Sequence, residues 1–211
     1  MGDIKFLPRD MIKEFFKSIY DLHPRKMTHD QIKLMFETLF YGAFRISEVL
    51  QITPESILDN GMIQLDRTKT GWENCKCSKW AYKPKRLLSV KKDCRKCEGL
   101  GRYRIPQFGW VREDILRKLR AQAKLTEPYK RIFPITRRQA LRYTDNLIGS
   151  CTHAFRHTFL TYLLETEKLN IGDIKLKARH TSLQTTTVYI EDNQDYTRSK
   201  ENKVIQDINI D

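Results

Sequence analysis

The sequence predicts a mainly α-helical domain with a small antiparallel β-sheet, which is an α+β fold. Apolar residues recur at helical spacing before residue 51 and after residue 110. Strand-like alternation is confined to residues 62–69 and 102–106, and an Asn-Gly turn signal precedes the first of these segments. The chain has 211 residues, 40% of them hydrophobic, which is enough to bury one core.

The first 50 residues are predicted to form two packed helices and a short third one. Thr28 and Gln31 have the spacing of a capping box, and the apolar residues that follow share one helical face. Residues 43–50 are expected to continue as a short helix that ends before Pro54, because proline cannot continue a helix.

The two alternating segments are predicted to pair as one hairpin, with residues 70–100 inserted between the strands. Helices are predicted over 111–124, 136–148, 153–167, 170–178 and 182–190. We therefore divide the chain into a main domain (1–190), an inserted module (70–100) and a C-terminal tail (191–211).

The tail differs from the rest of the chain in charge, with six acidic and three basic residues. Val204, Ile205 and Ile208 would form one apolar helical stripe, suited to docking on a groove of this protein or of a neighbour. A frayed polar terminus is the alternative.

The chain as a whole is strongly basic, with 39 Lys and Arg against 26 Asp and Glu and a net charge of +13. This favours a polyanionic partner, nucleic acid first, although ribosomal and membrane-surface proteins share such a charge. No apolar run approaches the roughly 18 residues that cross a bilayer, and the start lacks the pattern of a signal peptide. We therefore expect a cytosolic protein with no membrane partner.

Separate stretches of sequence carry the residue types that metal-free cleavage of a DNA phosphodiester requires. Such a reaction needs a nucleophile, cationic donors for the non-bridging oxygens and an acid for the leaving 5′-oxygen. The candidates, in chain order, are Arg45, Lys69, His153, Arg156, His180 and Tyr189. The first lies in Gly-Ala-Phe-Arg-Ile-Ser-Glu, and the third and fourth lie in His-Ala-Phe-Arg-His.

Arginine is the residue type that best matches phosphate oxygens, so Arg45 and Arg156 are expected to clamp the scissile phosphate. His153 and Arg156 share a helical face at the start of a helix, with Thr152 as the expected cap. Glu48 follows Arg45 by three residues and is expected to support that guanidinium.

Taken in this order, the motifs resemble those of the tyrosine recombinase, or phage integrase, family over residues 5–190. The resemblance implies the tyrosine recombinase catalytic-domain fold. It also implies a site-specific recombinase that cuts and rejoins double-stranded DNA, acting as a homo-oligomer, a dimer or a tetramer, on its DNA. By the same resemblance, Tyr189 takes the 3′-phosphate, Lys69 protonates the 5′-oxygen, His153 assists proton transfer and His180 donates to a phosphate oxygen.

Three features depart from the family pattern. Arg179 precedes His180 where the family usually has glycine, the residue that commonly ends a helix. Lys76 and Lys79 compete with Lys69, because a long insertion opens the hairpin. The helical domain with which the family closes around DNA does not precede this sequence, so we expect either a fragment or a naturally short enzyme.

The insertion holds two tight cysteine pairs, with Cys151 left over elsewhere. Cys75 and Cys77 are followed, after sixteen intervening residues, by Cys94 and Cys97. Four thiolates form a closed tetrahedral set, so we expect a structural Zn²⁺ with no role in catalysis. Free thiols or a redox pair are the alternatives.

The same insertion carries nine basic and three acidic residues, and Trp72, Trp80 and Tyr82 lie among the lysines. A zinc ion and its four thiolate ligands would together carry a formal charge of −2, and the module would still be basic. We expect it to lie along DNA beside the cleavage site, and a solvated charged knob is the alternative. For the whole protein, the alternatives are a type IB topoisomerase and a zinc-stapled DNA-binding protein that does not cleave.

Overall fold

The computed structural model describes residues 6–65, 72–80, 87–165 and 170–180. Its helices are α1 (Arg9–Ser18), α2 (His29–Tyr41), α3 (Ile46–Val49), α4 (Glu113–Lys124), α5 (Arg137–Ile148), α6 (Thr152–Glu165) and α7 (Ile171–Ala178). Its strands are β1 (Ile63–Leu65), β2 (Trp72–Asn74), β3 (Ser78–Trp80), β4 (Leu87–Val90), β5 (Arg102–Arg104) and β6 (Gln107–Gly109). The predicted class, mainly α with small antiparallel sheets, is confirmed.

The four helices predicted between residues 111 and 178 are present with small shifts at their ends. Helix α6 begins at Thr152, so this threonine is the first helical residue and not the preceding cap. The predicted end of this helix at 166–167, the helix over 182–190 and the tail lie outside the described residues. Within the described ranges, no helix has the length and apolar character that a membrane crossing requires.

The prediction of a helix over 43–50 is wrong in its first half. Helix α2 begins with the predicted capping box, in which the Gln31 amide donates to Thr28 Oγ1 at 3.2 Å, but it ends at Tyr41. Ala43 has a left-handed φ of +47°. A side chain at Gly42 would lie 2.3 Å from the Phe44 ring, so only glycine fits this sharp turn.

The pairing predicted for the hairpin also needs correction. Strand β1 pairs with β6, placing Ile63 opposite Gly109, whereas β5 pairs with β2, placing Arg104 opposite Trp72. Pro106 separates β5 from β6, because proline cannot donate to a ladder. The hairpin therefore extends to Asn74, into the range predicted as insertion, and β3 and β4 form a further two-stranded sheet beyond it.

A cluster of phenylalanine rings joins three helices in the core. Phe155 of α6 is fully buried, and its ring centroid lies 4.8 Å from that of Phe15 in α1 and 5.7 Å from that of Phe36 in α2. Phe155 lies between His153 and Arg156 in the chain, so its packing fixes the helix that carries these two site residues.

We predict that Phe155→Ala lowers the free energy of unfolding by about 3–5 kcal/mol, because it removes a fully buried ring and leaves a cavity. Phe108→Ala, at a ring that is 41% exposed, is the control and should change stability by about 0.5 kcal/mol or less. Urea denaturation of both variants measures the effect, and equal losses would contradict this role of Phe155.

A buried lysine makes the stability depend on pH. Lys177 is 5% exposed, and its Nζ donates to the Trp110 carbonyl at 2.7 Å and lies 4.5 Å from the centre of the Trp110 ring. Burial, followed by the charge of Arg179, lowers the pKa of Lys177 from 10.5 to about 7. Between these values the unfolded chain binds more protons than the folded protein, so the contribution of Lys177 to stability rises with pH.

We predict that Lys177→Met removes this rise. The free energy of unfolding of the wild type, relative to the variant, should increase by about 2–3 kcal/mol between about pH 7 and about pH 9.5. Urea denaturation at the two pH values provides the measurement, and a difference that does not change with pH would refute the prediction.

Candidate functional site

Three of the predicted site residues come together where the ends of helices meet. Arg45 directly precedes α3, Arg156 lies near the start of α6, and His180 follows the end of α7. The Arg156 side chain is buried, and its guanidinium donates to the carbonyls of Ala43 and Ala178. Its Nη2 also lies 3.1 Å from His180 Nε2. Arg156 therefore ties the turn before α3 to the end of α7.

The contact with Arg156 defines the protonation state of His180. A guanidinium can only donate hydrogen bonds, so His180 Nε2 accepts and the ring carries its proton on Nδ1. Burial, followed by the charges of Arg156 and Arg45, lowers the pKa of His180 to about 4. The ring is therefore neutral at neutral pH, and Nδ1–H is the group with which it can donate to an anion.

Arg45 is the more accessible of the two predicted phosphate-binding arginines. Its backbone is extended, with φ −80° and ψ 150°, so it precedes α3 as an N-cap. The Arg45 amide donates to Glu48 Oε2 at 2.8 Å, and Nη1 donates to Glu48 Oε1 at 2.7 Å. The side chain of Arg45 is 22% exposed and that of Glu48 only 1%. The carboxylate thus holds the Arg45 guanidinium while part of the Arg45 side chain remains accessible.

Glu48 also binds a second arginine that the sequence did not identify as a site residue. Arg179 Nη2 donates to Glu48 Oε2 at 2.8 Å. Burial alone would raise the pKa of Glu48, but Arg179, the amide and charge of Arg45 and the charge of Arg156 together lower it. Glu48 is therefore ionised at neutral pH. The sequence feature that could have pointed to Arg179 is its position, because glycine commonly ends a helix there.

His153 lies on the exposed side of the first turn of α6, next to another histidine. The ring centroids of His153 and His157 are 4.6 Å apart in an edge-to-face arrangement. Partial burial, followed by the charges of His157, Arg156 and Arg45, lowers the pKa of His153. His157 was not among the predicted site residues, although its spacing of four residues from His153 places both on one helical face.

The root of the hairpin packs directly on this site. A Cβ at Gly109 would lie 2.3 Å from the Phe44 ring and 3.1 Å from Arg179 Nη1, so β6 can approach only because it carries glycine here. Lys69 belongs to the segment between β1 and β2 and, like Tyr189, lies outside the described residues.

The competing lysines belong to the far end of the hairpin. Lys76 lies in the turn after β2, and Lys79 lies in β3 opposite Ser89.

The four cysteines of the insertion form one cluster. Their sulfur atoms all lie within 4.8 Å of one another, with Cys75 Sγ 3.7 Å from Cys94 Sγ and Cys77 Sγ 3.5 Å from Cys97 Sγ. These distances are too long for disulfides. They are close to the roughly 3.8 Å between sulfurs that are each about 2.3 Å from a tetrahedral zinc. Backbone amides of Cys97 and Lys96, with a side-chain bond from Cys77, lower the pKa of the Cys94 thiol to about 6, whereas burial and the other three cysteines raise the pKa of Cys77 to about 12.

One face of the hairpin carries stacked arginines. The guanidinium carbons of Arg102 and Arg104 lie 4.5 Å and 4.4 Å from the centre of the Trp72 ring. Both arginines are exposed. On the other face, Tyr103 donates to Glu73 at 2.6 Å. The two faces therefore differ in charge, and the tryptophan fixes the directions of two guanidiniums.

Comparison with known proteins identifies the fold. No family model and no curated protein matches the sequence. The structure of XerA recombinase is similar, with a TM-score of 0.61 and 15% identity over 96% of this chain and 66% of that chain. The catalytic domain of bacteriophage HP1 integrase has a TM-score of 0.57 and 14% identity over 90% of this chain and 88% of its own.

A third similar structure is XerH site-specific recombinase bound to palindromic difH substrate in a post-cleavage complex. Its TM-score is 0.57, with 15% identity over 96% of this chain and 53% of that chain. The present chain thus spans about half the length of XerH and about two thirds of XerA. Since these matches cover nearly all of this chain, it has the fold of a tyrosine recombinase catalytic domain.

Proposed function

We propose that this protein is a site-specific DNA recombinase that cuts and rejoins DNA through a covalent bond between Tyr189 and a 3′-phosphate. The observation that carries the proposal is the convergence of Arg45, Arg156 and His180, in a chain with a recombinase fold: Arg156 contacts His180, and the charges of both arginines act on this histidine. With Arg179, three guanidiniums face the single charge of Glu48. The site therefore has a net positive charge that suits a phosphate.

The chemistry is a pair of transesterifications. Tyr189 Oη attacks phosphorus, the bond from phosphorus to the 5′-oxygen breaks, and Lys69 supplies a proton to that oxygen. The neutral imidazole of His153 assists by accepting the tyrosine proton, and the negative charge of a bound phosphate raises the pKa of this histidine toward that task. The phosphotyrosyl ester conserves the energy of the broken bond, so a 5′-hydroxyl rejoins the strand when the same proton transfers run in reverse.

We propose that Arg45 and His180 Nδ1–H donate to the non-bridging oxygens. Arg156 donates to two carbonyls of the protein and contacts His180. A guanidinium carries five N–H donors, so we propose that Arg156 clamps the phosphate while it keeps these contacts.

Double-stranded DNA is the proposed partner. The net charge of +13, the exposed Arg102 and Arg104 beside Trp72, and the nearby site place cations where a duplex backbone could meet them. XerH, which shares the fold, was solved bound to its palindromic difH substrate. We propose that the protein acts on DNA as a homo-oligomer, because recombination joins two cut sites.

The test is covalent trapping on nicked duplexes, in which the short fragment beyond the cleaved bond diffuses away and rejoining fails. A pool with a randomised central sequence removes the need to know the target site. We predict that the wild type forms a denaturant-resistant protein–DNA adduct and that Tyr189→Phe forms none. Mass spectrometry of the protease-digested adduct should locate the nucleotide on Tyr189.

Tyr196→Phe is the matched control, because it removes another tyrosine hydroxyl from the same end of the chain and should leave the adduct unchanged. A wild type that forms no adduct, or an adduct that survives Tyr189→Phe, would overturn the proposed function. Relaxation of a supercoiled plasmid by the monomer would favour a type IB topoisomerase instead.

We further propose that residues 70–100 hold one structural Zn²⁺ through Cys75, Cys77, Cys94 and Cys97. The spacing of their sulfur atoms supports this assignment. Four protein ligands leave no position for water or substrate, so the ion would stabilise the module and take no part in catalysis. Zinc would fix the turns that follow β2 and precede β5.

We predict that protein purified without chelator contains about one zinc per chain and that Cys94→Ser loses most of it. Cys151→Ser is the control, because this cysteine lies outside the cluster, and its zinc content should match that of the wild type. Metal analysis by mass spectrometry with thermal denaturation gives both readouts. Equal zinc content and equal melting in Cys94→Ser would refute the site.

A further inference from the structure

Arg179 lies at an unusual place for a charged side chain. It ends α7 with a left-handed φ of +54°, a conformation that strains most residues other than glycine. The residue is nevertheless only 6% exposed. A strained backbone that carries a buried guanidinium needs strong compensating contacts.

The guanidinium of Arg179 has these contacts. Nη1 donates to the Lys177 carbonyl at 2.9 Å and to the Gly42 carbonyl at 3.4 Å. Nη2 donates to the Ala43 carbonyl at 2.9 Å and to Glu48 at 2.8 Å. The guanidinium carbon also lies 4.7 Å from the centre of the Phe44 ring. Arg179 therefore binds both ends of the turn that leads into Arg45.

Arg179 shares a partner with each of the two arginines assigned to the phosphate. Glu48 Oε1 accepts from the Arg45 guanidinium, and Oε2 accepts from both the Arg45 amide and the Arg179 guanidinium. The Ala43 carbonyl accepts from both Arg156 and Arg179. Arg179 Nη1 and Nη2 each donate to two oxygens of the protein, so the terminal N–H groups are all used within the protein. Arg179 therefore acts on the site through these shared partners.

The charges show what this sharing achieves. Arg45 and Glu48 alone would form a neutral pair with little attraction for an anion. Arg179 supplies a second positive charge to the same carboxylate, so the three groups together carry one net positive charge. The exposed group of the three is Arg45, which is where an anion would meet that charge.

We propose that Arg179 is a positioning residue of the active site, one that holds Glu48 and the 42–44 turn and leaves the positive charge of Arg45 available to the scissile phosphate. This rests on the proposed function. The positioning role predicts that removal of Arg179 slows cleavage only when the scissile phosphate carries its negative charge. A general loss of folding would slow cleavage whether or not that charge is present.

The test compares two substrates in single-turnover trapping, an ordinary scissile phosphate and a methylphosphonate, which has no negative charge at that position. Arg179→Gly suits the left-handed backbone but lacks the guanidinium. We expect it to slow adduct formation on the phosphate by roughly 10- to 100-fold, to slow the methylphosphonate reaction much less, and to bind duplex DNA almost as tightly as the wild type.

Arg179→Lys retains the positive charge but lacks the forked guanidinium. Its rate of adduct formation on the phosphate substrate should lie between those of the wild type and Arg179→Gly. It also serves as the test variant if the glycine variant fails to fold. Lys175→Ala removes a charge from the same helix and is the control, with an unchanged ratio of the two rates.

Equal slowing on both substrates, or no slowing on either, in the test variants would overturn the positioning role while the wild-type adduct stands. Absence of an adduct in the wild type would overturn the proposed function and this proposal with it.

Discussion

The buried carboxylate of Glu48 is the group on which the site depends. It is almost inaccessible to water, and it binds the Arg45 guanidinium through Oε1 and the Arg179 guanidinium through Oε2. A buried carboxylate is costly unless it is paired, and removing one partner of such an arrangement typically costs about 3–5 kcal/mol. The position of each guanidinium is therefore set by a contact that the fold cannot readily give up.

The carbonyl groups of the turn before α3 extend this constraint to the rest of the fold. Ala43 has a left-handed backbone, and its carbonyl receives both Arg156 from α6 and Arg179 from the end of α7. Phe44, the next residue, packs against Gly109 at the root of the hairpin. This one turn thus contacts the segment that carries His153, the segment that carries His180 and the root of the hairpin. These three segments are far apart in the sequence.

The sequence predicted what depends on local pattern. Apolar spacing predicted the helices from α4 to α7, the Thr28 capping box is present as expected, and the four cysteines lie together as their spacing indicated. Helical periodicity and caps depend on residues three or four positions apart, so they can be read directly. The recombinase-like order of motifs also led to the fold that the similar structures share.

Features that depend on distant contacts were not predictable in this way. Arg179 meets Glu48 across 131 residues, and no local pattern indicates that an arginine will replace glycine at a helix end and be buried. Alternation alone did not reveal the register of the hairpin, because residues 107–109 follow a proline and are too short to show a period.

The most direct measurement is a crystal structure of the protein bound to duplex DNA, with vanadate in place of the scissile phosphate. The charge network centred on Glu48 predicts non-bridging oxygens at about 3 Å from the Arg45 guanidinium and from His180, with Glu48 still between Arg45 and Arg179. A vanadate bound away from Arg45, or an Arg45 that contacts only Glu48 while the vanadate is held by other residues, would contradict it.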